Sequence, residues 1–120
     1  MVRGIRGAIT VTEDTPEEIV AATQEMLRAL MDRNGFTAED VISAIFTVTP
    51  DITSEFPARG ARLMGWTRVP LLCSQEMPVP GALPRCIRVM LHVNTDKSQA
   101  EIKHVYLRGT SALRPDMASD

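Results

Sequence analysis

Cys86-Ile87-Arg88-Val89-Met90-Leu91-His92-Val93 is the stretch on which the fold turns. Side chains along a strand alternate between its two faces. One parity here, Ile87, Val89, Leu91 and Val93, is wholly aliphatic; the other holds Cys86, Arg88, Met90 and His92. The pattern predicts a strand from Arg85 to Asn94 with its aliphatic side on a core. Arg88 then points to the opposite face. On this strand alone it reads as an ordinary surface arginine of a half-exposed sheet.

Working outward, Val2 to Thr12 predicts another strand. Arg3, Ile5, Gly7, Ile9 and Val11 share one parity, and Gly4, Arg6, Ala8, Thr10 and Thr12 the other. A helix follows. Thr15 is its cap, Pro16 suits the first helical position, and Glu18 completes a T-x-x-E capping box. Ile19, Thr23, Met26, Leu27 and Leu30 recur at helical spacing until Asn34-Gly35 ends the run. Thr37-Ala38-Glu39-Asp40 begins a short second helix, and Ile42 to Thr49 is a strand ended by Pro50. A short helix is expected over Ala58–Met64 and a buried strand over Val69–Gln75. The prolines between Met77 and Pro84 force a loop. Ser98 with Glu101 caps another short helix, and His104 to Leu107 is a last strand; the tail from Gly109 carries no clear pattern. These elements imply an α/β or α+β sheet with helices on one face. We take the α+β form, a mixed sheet, and the chain has no helices left for the other face. Cover from another subunit is expected there.

The 120 residues suit a single domain spanning 1–120, and so small a core often gains from oligomerisation. A net charge of −2 argues against broad nucleic-acid binding, so any anion site must come from locally gathered cations. No apolar run is long enough for a bilayer. Arg6 interrupts the only apolar start that could serve as a signal peptide. Cys73 and Cys86 form no CxxC pair and are expected to be reduced thiols, which makes the cytoplasm the expected location.

The chemistry-bearing residues are few. Arg6 sits mid-strand between the small Gly4 and Ala8, which leaves room for a ligand. Tyr106 shares a parity with His104 and Arg108. If these faces coincide with that of Arg88, the sheet presents Arg6, Arg88 and Tyr106 to one cavity. Arginine suits such a site because its planar fork grips a carboxylate with two hydrogen bonds and keeps its charge. His92 and His104 lack metal-ligand partners at useful spacing, so no metal is expected. There is no G-x-S-x-G elbow and no glycine-rich phosphate loop. Cys73 reads as a small buried hydrophobe sooner than a nucleophile. Glu76 is either a solvated strand-end carboxylate or the acceptor for a substrate hydroxyl. Spacing alone stops at a carboxylate-binding site.

Seven segments carry more. Arg3-Gly4-Ile5-Arg6-Gly7-Ala8, Phe46-Thr47-Val48-Thr49-Pro50-Asp51, Phe56-Pro57-Ala58-Arg59, Val69-Pro70-Leu71, Cys86-Ile87-Arg88-Val89, His104-Val105-Tyr106-Leu107 and Leu113-Arg114-Pro115-Asp116 occur in order along nearly the whole chain. Together they resemble the monofunctional chorismate mutases of the trimeric, pseudo-α/β-barrel class. The resemblance implies conversion of chorismate to prephenate, toward phenylalanine and tyrosine, by an intramolecular [3,3] rearrangement with no cofactor or metal. It also implies a homotrimer with active sites in clefts between neighbouring subunits. Arg88 would face the ether oxygen, Arg6 would bind a substrate carboxylate, Glu76 would accept the ring hydroxyl's hydrogen bond, and Tyr106 would orient a carboxylate. Cys73 would be a neutral contact. Phe56, Ala58, Arg59, Arg62, Leu72, Leu113 and Arg114 would line the pocket or its entrance. Two departures stand out: arginine at position 59 where lysine is common in the class, and Gly60 inside a helix, which should loosen it by roughly 0.5–1 kcal/mol relative to alanine.

Two other functions compete. A non-catalytic trimeric binding protein for a small carboxylate would have no need of Glu76 beside its ligand. A structural subunit would leave the strand-centre arginines without a purpose.

Overall fold

The computed structural model describes residues 1–114. Its elements are β1 (Val2–Thr10), α1 (Pro16–Asn34), β2 (Val41–Val48), α2 (Pro57–Leu63), β3 (Leu71–Gln75), β4 (Cys86–Asn94) and β5 (Val105–Tyr106). Three single 3-10 turns, Ala38–Asp40, Gln99–Glu101 and Thr110–Leu113, complete the described residues. The strands form a mixed sheet in the order β3-β2-β4-β1-β5. β4 lies antiparallel to both β1 and β2, while β3 and β5 join the outside in parallel with their neighbours. This is the expected α+β architecture.

β4 is the axis of the sheet, and its aliphatic parity is fully committed. Ile87, Leu91 and Val93 are completely buried, and Val89 nearly so. They pack with Ile5, Ile9 and Phe46 of the flanking strands against Ile19, Met26, Leu27 and Leu30 of α1. α1 approaches β1 so closely at Gly7 that a Cβ there would lie 2.8 Å from Leu30 Cδ1. Gly35 ends the helix in the left-handed region (φ 66°), with its N–H donating to Met31 O.

Several expected boundaries shift, each for a local reason. β1 stops at Thr10 and not Thr12, because Glu18 captures both the N–H and the hydroxyl of Thr12. That same contact leaves the capping box of α1 half made. Thr15 Oγ1 accepts from Glu18 N–H, but the Glu18 carboxylate never returns to Thr15. The helices expected at Thr37 and Ser98 are single 3-10 turns, each with a complete capping box. The strand expected over Val69–Gln75 begins only at Leu71 and is an edge strand, not a buried one: Leu72 is 66% exposed. A bulge between Val41 and Ser43 resets the parity of β2, so that Val41, Ala44 and Phe46 face the core. The other side of the sheet carries exposed Ile45, Leu72 and Met90 and, among the described residues, no α-helix.

Gly60 does more than loosen α2. A Cβ there would meet Thr23 Cβ at 3.0 Å and Val20 O at 3.1 Å, so the glycine lets α2 dock on α1. Helix propensity favours alanine by roughly 1 kcal/mol, whereas overpacking costs about 1–3 kcal/mol. Because one of the atoms met is backbone, we expect Gly60→Ala to destabilise the fold by about 1 kcal/mol in chemical denaturation. A gain in stability would mean that the helix contact relaxes freely.

Candidate active site

Register places the polar side chains of three strands in one row. Arg88 is opposite Thr47 on β2 and opposite Ala8 on β1, and Ala8 is in turn opposite Tyr106 on β5. Directly opposed residues share a sheet face, so Thr47, Arg88 and Tyr106 all stand on the side away from α1, with only the methyl group of Ala8 between the last two. Arg6 joins them one row along, opposite Met90. The faces of Arg6, Arg88 and Tyr106 thus coincide. A depression of about 430 Å³ opens there, lined by Arg6, Ile45, Thr47, Arg88, Val89 and Met90.

Glu76 completes the group from the end of β3. Its N–H donates to Val48 O, which continues the β2–β3 ladder by one residue. Its carboxylate takes a two-pronged grip from Arg88: Nε to Oε2 at 2.8 Å and Nη2 to Oε1 at 2.6 Å. Thr47 Oγ1 donates to the same Oε2 at 2.6 Å. Burial pushes the Glu76 carboxyl up, but the hydrogen bonds from Arg88 and Thr47 and the charges of Arg88 and Arg6 outweigh it, and the carboxyl ionises below its ordinary value. The hydrogen bond to Glu76 raises Arg88 in turn, against the opposing effect of burial. Both groups are therefore charged at neutral pH. Of the strand-end alternatives, Glu76 is not a solvated carboxylate: only 15% of its side chain is exposed.

The remaining cations are held differently. The Arg6 backbone N–H donates to His104 Nδ1 at 2.9 Å. Burial, then the charges of Arg6 and Arg114, lower the His104 pKa, so the ring is neutral and can accept that bond. The Arg6 guanidinium makes no hydrogen bond or ion pair with any described residue. Tyr106 is buried with Ala8 and Cys86, with Leu83 and Leu113 packed against them. Its hydroxyl is buried and has no partner among the described residues. Such a group costs free energy until something binds it.

The start of β4 is anchored by the Thr49-Pro50-Asp51 turn. Cys86 N–H donates to Thr49 Oγ1 at 2.9 Å, Thr49 Oγ1 donates to Asp51 Oδ1, and Asp51 accepts the N–H of Arg85. Arg85 sits in the left-handed region (φ 48°), and this clamp holds it there. The motif is a brace for the strand that carries Arg88.

The other expected residues gather elsewhere. Cys73 is opposite Phe46 and so faces the helix side of the sheet, away from Arg88. Burial raises its thiol pKa, against the Ala58 N–H and the charge of Arg62, so it stays protonated. A second cavity of about 280 Å³ is bounded by Cys73, Ser74, Phe56, Pro57 and Glu55. Phe56, Arg59 and Arg62 are exposed around it, with Arg59 paired to Glu55 at 3.5 Å. The Ala58 side chain is buried in the core, and its backbone N–H donates to Cys73. Leu72 stands on the open sheet face in the row of Ile45, Met90 and Arg6. Arg114 is half-buried near His104, while Pro115 and Asp116 lie outside the described residues. Among the described residues no three His, Cys, Asp or Glu side chains converge as a metal site would require. Thr47, His104 and the Thr49–Asp51 clamp lie within the quoted motifs, but the sequence gives them no role of their own, since cross-strand register supplies Arg88 opposite Thr47, Arg6 beside His104 and Cys86 beside Thr49.

A sheet face that gathers two arginines around one held carboxylate, beside a hydroxyl with no partner among the described residues, has the make-up of a site for a small polar anion. Comparison with known proteins narrows this. Residues 2–117 match the family model described as chorismate mutase type I. A Thermus thermophilus protein, chorismate mutase AroH, is 57% identical over 120 residues, covering 99% of this chain and 98% of its own. The Bacillus subtilis (strain 168) chorismate mutase AroH is 48% identical over 98% of this chain and 94% of its own. A solved chorismate mutase from Clostridium thermocellum superposes with a TM-score of 0.89 at 54% identity, covering 91% of this chain and 97% of that one. The chain belongs to the type I chorismate mutase family.

The lowered Glu76 carboxyl has a consequence for stability. Its ordinary value is 4.5 and its folded value lies lower. Its contribution is therefore complete above about pH 4.5 and is lost as pH falls through the folded value. We expect Glu76→Gln to destabilise the protein more at pH 7 than at pH 3, as measured by urea unfolding at the two pH values. An equal loss at both would show that the carboxylate charge contributes nothing.

Proposed function

We propose that this chorismate mutase rearranges chorismate to prephenate over the Arg88–Glu76 pair, in sites shared between neighbouring copies of a homotrimer that closes a pseudo-α/β barrel. The observation that carries the site is the Arg88–Glu76–Thr47 group on the open sheet face, beside the buried, unpartnered hydroxyl of Tyr106. A protein that merely bound a carboxylate would gain nothing from holding Glu76 ionised in the middle of its cations.

The chemistry asks for fixed charge and restraint. As the ether bond breaks, negative charge grows on its oxygen and positive charge on the ring. Arg88 stabilises the first and the Glu76 carboxylate, which accepts the ring hydroxyl's hydrogen bond, faces the second. Because both charges are already locked in place, they favour the separated transition state without reorganising as it forms. Arg6, with its unengaged guanidinium, and Tyr106 hold the substrate carboxylates and keep the compact conformer that reacts. Leu113 and Arg114 border the same side. No proton moves and no covalent intermediate forms, so the protonated thiols of Cys73 and Cys86, the latter pushed up to about 11 by burial and then by Glu76, take no chemical part.

The trimer is supported by what one chain leaves undone. Phe56 and Cys73 line a cavity of their own, with Arg59 paired to Glu55 at its edge and Arg62 near Cys73, and Leu72 is exposed at the sheet edge; a neighbour's copies of these residues would complete the Arg88 site. The exposed Ile45, Leu72 and Met90 supply apolar surface for such a contact. The whole of 1–120 acts as one domain. Free Cys73 and Cys86 fit a reducing, cytoplasmic setting, and no described helix is long and apolar enough to cross a membrane.

The test is to add chorismate to the purified protein and follow its absorbance. We expect rapid loss with the native chain, and a fall in turnover of roughly 10²–10³ for Arg88→Ala, the range for one preorganised donor to a developing oxyanion. Native turnover in that variant would remove Arg88 from the mechanism. Sites shared between copies predict complementation. Arg88→Ala and Arg62→Ala chains, each impaired alone, should recover activity when unfolded and refolded together. No recovery would place both residues in one chain's site.

A further inference from the structure

We propose that Thr47 is a positioning residue for the reaction, acting through Glu76, on the reading of Glu76 given above. The geometry singles it out. Glu76 lies just past β3, at the start of the loop that runs to Cys86. Its partner Arg88 is a long, flexible side chain, 33% exposed. A carboxylate and a guanidinium that grip only one another can swing together as a unit. Thr47 prevents this, because it belongs to a third element. It sits near the end of β2, directly opposite Arg88, and donates from Oγ1 to Glu76 Oε2 at 2.6 Å. Its β-branched side chain has few rotamers, so the donor is aimed before the substrate arrives.

The atom count sharpens the role. Oε1 receives Arg88 Nη2, whereas Oε2 receives both Arg88 Nε and Thr47 Oγ1. The hydroxyl's proton is thus committed to the carboxylate, and Oε1, with one protein partner, is the oxygen left with the freer lone pair for a substrate hydroxyl. Thr47 also lines the depression beside Arg6 and Arg88. The charged and titratable groups around this carboxylate are Arg88 on β4, Arg6 on β1 and the Cys86 thiol at the start of β4, with Tyr106 facing Arg88 from β5. Beside them, Thr47 donates to the carboxylate as a neutral hydroxyl. Its removal therefore changes the setting of Glu76 without changing the charge of the site.

Thr47→Val keeps the shape and removes the donor; Thr47→Ser keeps the donor. In the full-length protein, the carboxyl carbon of Glu76 is followed by NMR as pH is lowered, and kcat and KM for chorismate are measured across the same range. We expect Thr47→Val to raise the pH at which Glu76 titrates and to move the acidic limb of kcat/KM upward with it. It should also lower kcat by roughly tenfold, the scale of one hydrogen bond to a charged group, with KM little changed. Thr47→Ser should restore both. If the valine variant does not fold, Thr47→Ala removes the same donor with less bulk and is measured in its place. A Glu76 titration unchanged in the donor-less variant would overturn the proposal, as would a serine variant that behaves like valine. Full turnover in Glu76→Gln would instead overturn the role given to Glu76, while the carboxyl titration still decides whether Thr47 holds it.

Discussion

The register of β4 between β1 and β2 is the constraint on which the molecule depends. Side chains alternate along a strand, so a slip of one residue would turn Arg88 into the core and expose Ile87, Val89 and Leu91. Two features oppose that slip. The aliphatic parity of β4 buries against α1 almost without remainder, and the Thr49–Asp51 turn pins Arg85 and Cys86 at the strand's start. Core and site are thus two faces of a single pairing. What stabilises the fold also aims the arginine.

The charged pair on the open face has a different purpose from most ion pairs. A half-buried guanidinium and carboxylate gain little net stability, because desolvation offsets much of their attraction. Their value is order. Arg88, Glu76 and Thr47 come from three strands or strand ends, and each fixes another's position before any ligand is present. A reaction that separates charge without moving a proton needs fixed charges of both signs, and a preorganised pair supplies them with no rearrangement as the barrier is crossed. The buried Tyr106 hydroxyl belongs to the same economy of function over stability. It has no partner among the described residues, and a bound substrate would supply one in the proposed mechanism.

The site is also divided. Residues that act together in the proposed mechanism lie on two sides of the sheet, with Cys73 turned toward the helices and Arg88 away from them. The described residues of this 120-residue chain form two α-helices, both committed to one sheet face, and the other face keeps exposed Ile45, Leu72 and Met90. In the proposed trimer, association between copies would cover this apolar surface and join the half-sites in the same step.

Much of this was legible in the chain itself. The alternation in Cys86–Val93 set the direction of Arg88, the capping residues and Asn34-Gly35 bounded α1, and the motif resemblance pointed to the family that the comparisons established. These signals are local, or survive as ordered short motifs, so one dimension suffices to read them. The limits lay where contacts are distant. Val69–Gln75 looked buried from composition but is an edge strand, because strand order is a property of the sheet and not of the segment. Gly60 looked like a defect until α1 was found against it. Thr47 stood in a recognised motif but carried no signal of its role, since a threonine in a β-rich run is ordinary until Arg88 lies opposite and Glu76 accepts its hydrogen bond. The sequence by itself determined which elements form and which way their side chains alternate, because those depend on neighbours along the chain. Only the tertiary structure decided which rows line up across strands, and with them that Arg6, Thr47, Glu76, Arg88 and Tyr106 meet on one face.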